Sequence, residues 1–338
     1  MLSYKILDEI TPYRFRSESE LVKSIEELSQ IFNFQREKIG EYLSDERLIG
    51  AYLYFYFATN VPKMKQCLEL LPRTIFEELQ TSQIIDFGCG PAPLFVALES
   101  FGIKSEKWGV ELSSLMLEAA ENICEKLGIE KTQFVQSVKS LPEMKKPFLV
   151  FTHSFNEISE IEAKRIIETL NPQNILFIEP GTKDVFKKLT PMREWLIATD
   201  YQVQYPCHTQ HACPIQGEDD WCHQVLRVNQ TIEVERLCQI LKKDRRNLPV
   251  CLQWYSKTEA PKIKQATIFK NWNETKFSFE GWVCNEAGKI VFVQIMKKTL
   301  DKLQIKKMAD YRAGHQIKYV IDKELDIDKL RVQYIDND

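Results

Sequence analysis

The chain predicts an α/β protein: a parallel, doubly wound sheet, preceded by a helical N-terminal region and followed by a cysteine-rich, β-rich extension. Three observations carry this. Short apolar runs alternate with helical patterns between residues 83 and 199. Before them, apolar residues recur at helical spacing, and beyond residue 200 cysteines and histidines crowd together ahead of several β-like runs. The expected division is a helical region over 1–80, a sheet domain over 81–200, and a metal-cluster segment with a basic β-rich part over 201–338. A length of 338 residues suits more than one unit.

Each element has its own signal. Leu21, Ile25, Leu28 and Phe32 keep a helical period, with Ser17 or Ser19 as the cap. Leu48, Tyr52, Leu53 and the aromatics at 55–57 continue it, and Pro62 and Pro72 are expected to punctuate it. This helical region reads as a cap on the sheet domain. Strands are expected at 84–87, 107–110, 133–135, 147–151 and 174–178, with helices at 94–101, 113–127, 157–170 and 183–199 between and after them. Further β-like runs occupy 266–269, 277–284 and 289–296.

Composition excludes some classes. With 44% hydrophobic and 28% charged residues the chain is neither disordered nor collagen-like. No stretch is apolar enough to span a bilayer; residues 48–61 come nearest and Asn60 interrupts them. The start has no apolar core behind a basic head, so a bacterial cytoplasm or mitochondrial matrix is expected, both reducing. In such a compartment an odd count of nine cysteines argues for metal ligands before disulfides. The net charge of −3 conceals an asymmetry: residues 239–318 hold 17 Lys+Arg against 7 Asp+Glu, while the remainder is acidic. A basic part of this kind points to a polyanion partner.

The first strand runs into Asp86-Phe87-Gly88-Cys89-Gly90-Pro91-Ala92. Glycines at 88 and 90 allow a tight turn and a close approach to a ligand. Glu111 follows at the end of the second strand, where a carboxylate accepts both ribose hydroxyls of a nucleoside ligand. A dinucleotide fingerprint would read G-x-G-x-x-G. Here the turn opens with an acid and Pro91-Ala92-Pro93 block the helix start. It resembles the first motif of class I S-adenosylmethionine-dependent methyltransferases, with Ala92 at the third glycine. Adenosylmethionine has no phosphate to seat on a helix N-terminus. After the fourth strand, His153 is a candidate cofactor contact or base, with a polar loop as the plainer alternative. The Asn-Pro-Pro-Tyr signature of amino methylation is absent there, so no catalytic residue is assigned.

Cys207, Cys213 and Cys222 lie among His208, His211 and His223, three of the five histidines in the chain. Gaps of six and nine are wide for a zinc knuckle. Iron–sulfur clusters take four thiolates at uneven spacing, and a fourth ligand is open among Cys238, Cys251, Cys284 and a histidine. Pro206-Cys207 also resembles the nucleophile motif of RNA cytosine-5 methyltransferases, but it lies after the fifth strand rather than the fourth, and a Thr-Cys partner is missing.

Taken together, several segments are similar to one family, the methyltransferase-like assembly factors of the mitochondrial small ribosomal subunit and their bacterial relatives. They include 52–62, 86–91, Glu111, Glu179-Pro180-Gly181-Thr182, Arg193, Pro206-Cys207-His208, Ala212-Cys213-Pro214, Asp220-Trp221-Cys222-His223, Arg227 and 281–288. The resemblance implies a [4Fe-4S] cluster on Cys207, Cys213, Cys222 and Cys284, with Cys251 in reserve and zinc as the alternative metal. It implies adenosylmethionine held by Asp86, Gly88, Gly90, Pro91, Glu111 and His153. The implied partner is small-subunit ribosomal RNA or a pre-ribosomal subunit, with neither membrane nor DNA expected. Methyl transfer, a non-enzymatic assembly scaffold, and a zinc-stabilised small-molecule methyltransferase are the functions in contention.

Overall fold

A computed structural model describes residues 4–35, 39–259 and 266–335. Helices α1 (Tyr4–Ile10), α2 (Glu18–Phe34), α3 (Ile39–Tyr42) and α4 (Glu46–Ala51) open the chain. Ser17 caps α2, its side chain accepting from the Glu20 N–H. A π-helical stretch, Tyr52–Phe57, runs directly into α5 (Ala58–Leu70), and α6 (Thr74–Thr81) comes next. Pro62, expected to break this helix, instead lies inside α5. The i→i+5 pattern just upstream loosens the backbone beside a residue that has no N–H to give.

The alternating part contains β1 (Gln83–Phe87), α7 (Pro93–Ser100), β2 (Lys107–Val110), α8 (Ser114–Leu127), β3 (Thr132–Val135), β4 (Pro147–Thr152), α9 (Glu160–Leu170), β5 (Asn174–Pro180) and α10 (Lys183–Ala198). The helix expected from 157 starts later, because Ser159 rather than the preceding loop caps it. Then come β6 (Gln202–Tyr205), β7 (Gln224–Arg227), α11 (Ile232–Ile240) and β8 (Asn247–Ser256). The sheet order is β3-β2-β1-β4-β5-β8-β6, with β7 also on β8. The first five strands are parallel, whereas β8 is antiparallel to β5 and β6. The sheet therefore extends past residue 200, and the cysteine-rich segment is a long connection between two of its strands.

Strand alternation divides the core. Ile84, Phe148, Val150, Leu176 and Trp254 face α1–α8 on one side. Ile85, Leu149, Phe151, Phe177 and Tyr255 face α9, α10 and the cysteine segment on the other. The N-terminal helices thus share one core with the sheet. Among the described residues, no helix is long and apolar enough to cross a membrane.

The last part holds β9 (Ala266–Glu274), β10 (Ser278–Asn285), β11 (Ile290–Met296), α12 (Lys302–Ala309), β12 (Gln316–Asp326) and β13 (Lys329–Ile335). These five strands close a barrel in the order β10-β11-β13-β12-β9, with β11 parallel to β13 and its own core of Ile268, Phe279, Val283, Val293 and Ile317. With a helix between its third and fourth strands, this is the connectivity of an OB-fold.

Candidate functional site

Two sites emerge. The first is a cavity of about 400 Å³ at the carboxyl ends of β1, β2, β4 and β5, the crevice in which doubly wound sheets bind ligands. Gly88, Gly90, Glu111 and His153 line it; Asp86, buried near the end of β1, and Pro91, buried in the turn, do not. Gly88 has φ +70°, and a Cβ there would stand 2.5 Å from the Ser154 Cβ, so glycine is required twice over. Gly90 has φ +51° and donates its N–H to Glu111 Oε2 at 3.1 Å, while Glu111 Oε1 accepts from the Ser113 N–H at 3.0 Å. The carboxylate is thereby aimed by two backbone donors at the rim of the turn. Burial raises its pKa, opposed by those same bonds. Ala92, at the third glycine position, adopts φ 57°, a conformation costing an alanine roughly 1–2 kcal/mol.

Beneath the cavity lie two fully buried carboxyls. Asp86 accepts from Thr152 Oγ1 at 2.7 Å, and Glu179 accepts from the Phe155 N–H at 2.9 Å. Each has a second oxygen without a partner among the described residues. Burial pushes both pKa values up to about 8. His153 sits at φ 62° with Nε2 2.8 Å from Lys63 Nζ. Burial, with Lys63 and Arg245 nearby, holds the imidazole well below its usual pKa, and burial lowers Lys63 to about 8. Burial and the facing Lys63 both disfavour a protonated imidazole, so His153 is a neutral hydrogen-bonding group in the cavity wall. Gly181 admits the backbone of Pro249 and Val250, which a Cβ would meet at 2.5 Å.

Sequence reasoning missed Lys63, Asn60 and Arg245 in this lining. A lysine in an apolar helix was a usable signal for the first. Arg245 arrives from the turn before β8 and had no local signal.

The second site is a cavity of about 40 Å³ between α10, the cysteine segment and the barrel. Cys207, Cys213, Cys222 and Cys284 all line it, together with Phe186, Pro214, Phe269 and Ile290. Cys251 does not; its thiol points to the Cys222 carbonyl at 3.6 Å. Nor do the histidines: His208 Nε2 meets Thr267 Oγ1 at 2.9 Å and His223 stacks on Trp221. Burial raises the Cys213 and Cys222 thiols and takes Cys284 to about 12, with the neighbouring cysteines adding to the shift for each. Arg193, also in this lining, is buried and donates to the carbonyls of Thr209 (3.1 Å) and His211 (2.8 Å), pinning the segment. Among the described residues, no three Cys, His, Asp or Glu side chains group closely enough to hold one metal ion.

Residues 49–284 match the model of the family described as mitochondrial small ribosomal subunit Rsm22. The chain belongs to the Rsm22 family. No curated protein matches it. Solved structures similar to this Rsm22 family member include an S-adenosylmethionine-dependent methyltransferase from Aquifex aeolicus, at 13% identity over 58% of this chain and 97% of that one, with TM-score 0.34. They also include a ribosomal protein L11 methylase from Lactobacillus delbrueckii (12%, 57% and 77%, TM-score 0.34). A third is M. capricolum TrmK with S-adenosyl-homocysteine (11%, 56% and 70%, TM-score 0.33). The Rsm22 match spans every residue of the first motif and all four cysteines of the second cavity.

Proposed function

We propose that this chain is an S-adenosylmethionine-binding, methyltransferase-like protein acting on or bound to small-subunit ribosomal RNA, with a [4Fe-4S] cluster in its cysteine cavity. The observation that carries the cofactor reading is the coupling of the Gly88–Gly90 turn to Glu111, 21 residues on, at the mouth of a cavity on the carboxyl ends of the strands. In this reading Glu111 accepts the ribose hydroxyls and Gly88 and Gly90 let the ligand approach the backbone. His153, with Lys63 behind it, contacts the cofactor as a neutral hydrogen-bonding group.

The cluster reading rests on the donor set: Cys207, Cys213, Cys222 and Cys284 line one cavity with apolar walls, and four thiolates are the ligands an iron–sulfur cluster takes. Cys207, Cys213 and Cys222 would hold it from the segment and Cys284 from β10. Arg193 adds a buried positive charge beside the thiolates. When bound, the cluster joins segment and barrel, so its binding energy is also folding energy.

RNA as the partner rests on the family and on the basic 239–318 region. Crosslinking in cells, followed by sequencing of the recovered RNA, tests it. Small-subunit ribosomal RNA is expected; its absence rejects this reading in both its enzymatic and scaffold forms. Calorimetric titration with adenosylmethionine tests the pocket separately.

A further inference from the structure

Three cavities lie in a row and share side chains. An outer one of about 500 Å³ is bounded by the end of α5, by β7, and by residues 310–316 leading from α12 into the barrel. The next, about 370 Å³, is bounded by α11 and the turn before β8. Arg227 lines both. Arg245 lines the second and also the glycine-turn pocket. The three cavities thus adjoin from barrel to pocket, with Arg227 and Arg245 at the two junctions.

We propose that this path is a track for single-stranded RNA that delivers one unpaired nucleotide to the glycine-turn pocket. The proposal rests on the RNA reading above and adds to it the route and the form of the strand. Charge is the first argument. The two outer cavities are lined by eight Lys and Arg side chains against four Asp and Glu. Arg73, Arg227, Lys242 and Arg246 among the basic ones are exposed. One of the four acids, Asp244, is turned into its own loop, accepting from the Arg246 N–H at 2.7 Å and from Asn247 at 3.2 Å. A row of cations spread along a groove matches a phosphate chain rather than one small anion.

The inner end supplies the second argument. The Arg245 guanidinium lies over the rings of Phe55 and Tyr56, 5.4 and 5.5 Å from their centroids. Tyr52 and Tyr56 stack at 5.6 Å and both line the pocket. Tyr42 and Arg245 cover the outer faces of this pair, so an entering base meets the ring edges and the Arg245 guanidinium, itself a planar cation on which bases stack. A base held inside a duplex presents no reacting atom to a recessed pocket, so the strand must arrive single or with the nucleotide extruded.

The test is fluorescence anisotropy of the full chain with a labelled single-stranded oligoribonucleotide, the same strand annealed to its complement, and polyglutamate as a competitor. The single strand is expected to bind more tightly than the duplex and to resist polyglutamate. Combining Arg227→Ala with Arg246→Ala is expected to weaken binding about tenfold. It should also flatten the salt dependence by about 0.7 in slope for each phosphate left without its cation. Calorimetric adenosylmethionine affinity should be unchanged in that variant. Lys276→Ala with Lys298→Ala, at exposed barrel lysines lining neither cavity, should bind RNA like the parent. Groove variants that bind like the parent, barrel variants that lose as much, or a preference for duplex or polyglutamate overturn the track. A parent that binds no RNA rejects the functional reading itself; RNA binding indifferent to Arg227 and Arg246 rejects only the track.

Discussion

The glycine-turn pocket and the cysteine cavity solve opposite problems. The pocket is polar and built from consecutive strand ends, so backbone N–H groups aim its key carboxylate over short range. The cavity is small and apolar, and its thiols converge from a long segment and a distant strand. Burial pushes its thiols toward the protonated form, against the opposing pull of Arg193 on Cys213 and Cys284. The lesson is that a backbone-made site is organised by short-range hydrogen bonds, whereas a site of converging thiols depends on long-range packing of segment against barrel.

The largest expected effect tests the second half of that contrast. Protein purified without oxygen should contain iron and sulfide, and Cys284→Ser should lose nearly all the iron while Cys251→Ser keeps it. Colourless, zinc-loaded protein, or iron retained in Cys284→Ser, would break the assignment. Next, Gly88→Ala combines a positive φ with a Cβ clash and should cost about 3 kcal/mol in urea unfolding. Gly128→Ala, with the same sign of φ but open space around it, should cost only about 1 kcal/mol. Equal losses would mean that the turn is not closely packed. Glu111→Gln should then weaken adenosylmethionine binding by about 10-fold or more, the worth of hydrogen bonds to a charged acceptor. An unchanged affinity by calorimetry removes Glu111 from the site.

A further effect concerns pH. Asp86 has its folded pKa raised from 3.8 to about 8, so the folded state binds the extra proton in that window. Its contribution to stability is complete below about pH 4 and declines as pH rises towards 8. Asp86→Asn keeps the Thr152 contact but does not titrate. Its melting temperature should fall less than the parent's between pH 6 and 8, and parallel curves would show that Asp86 is ionised throughout.

The parallel strands, their helices and the Gly88–Gly90–Glu111 constellation were readable because each is written in a short stretch: apolar runs, serine caps, and a glycine turn at a strand end. The four-cysteine grouping was readable only with the family resemblance; spacing alone left Cys238, Cys251 and a histidine open as the fourth ligand. β8 escaped notice because its antiparallel place between β5 and β6 departs from the parallel alternation, although α11 precedes it. The barrel was visible as separate β-like runs, but closure depends on β12 and β13, whose outward apolar residues blur the alternation.

Local patterns therefore settled the element types, the nucleotide-type turn and the presence of a cysteine-rich module, since turn chemistry and periodicity act over a few residues. Long-range packing settled that Lys63 stands behind His153, that Arg245 reaches the pocket lining, and that Cys284 rather than Cys251 lines the cysteine cavity. Those outcomes depend on which strand faces which loop. That is a property of the sheet order and of the burial it enforces, which no local stretch of the chain encodes.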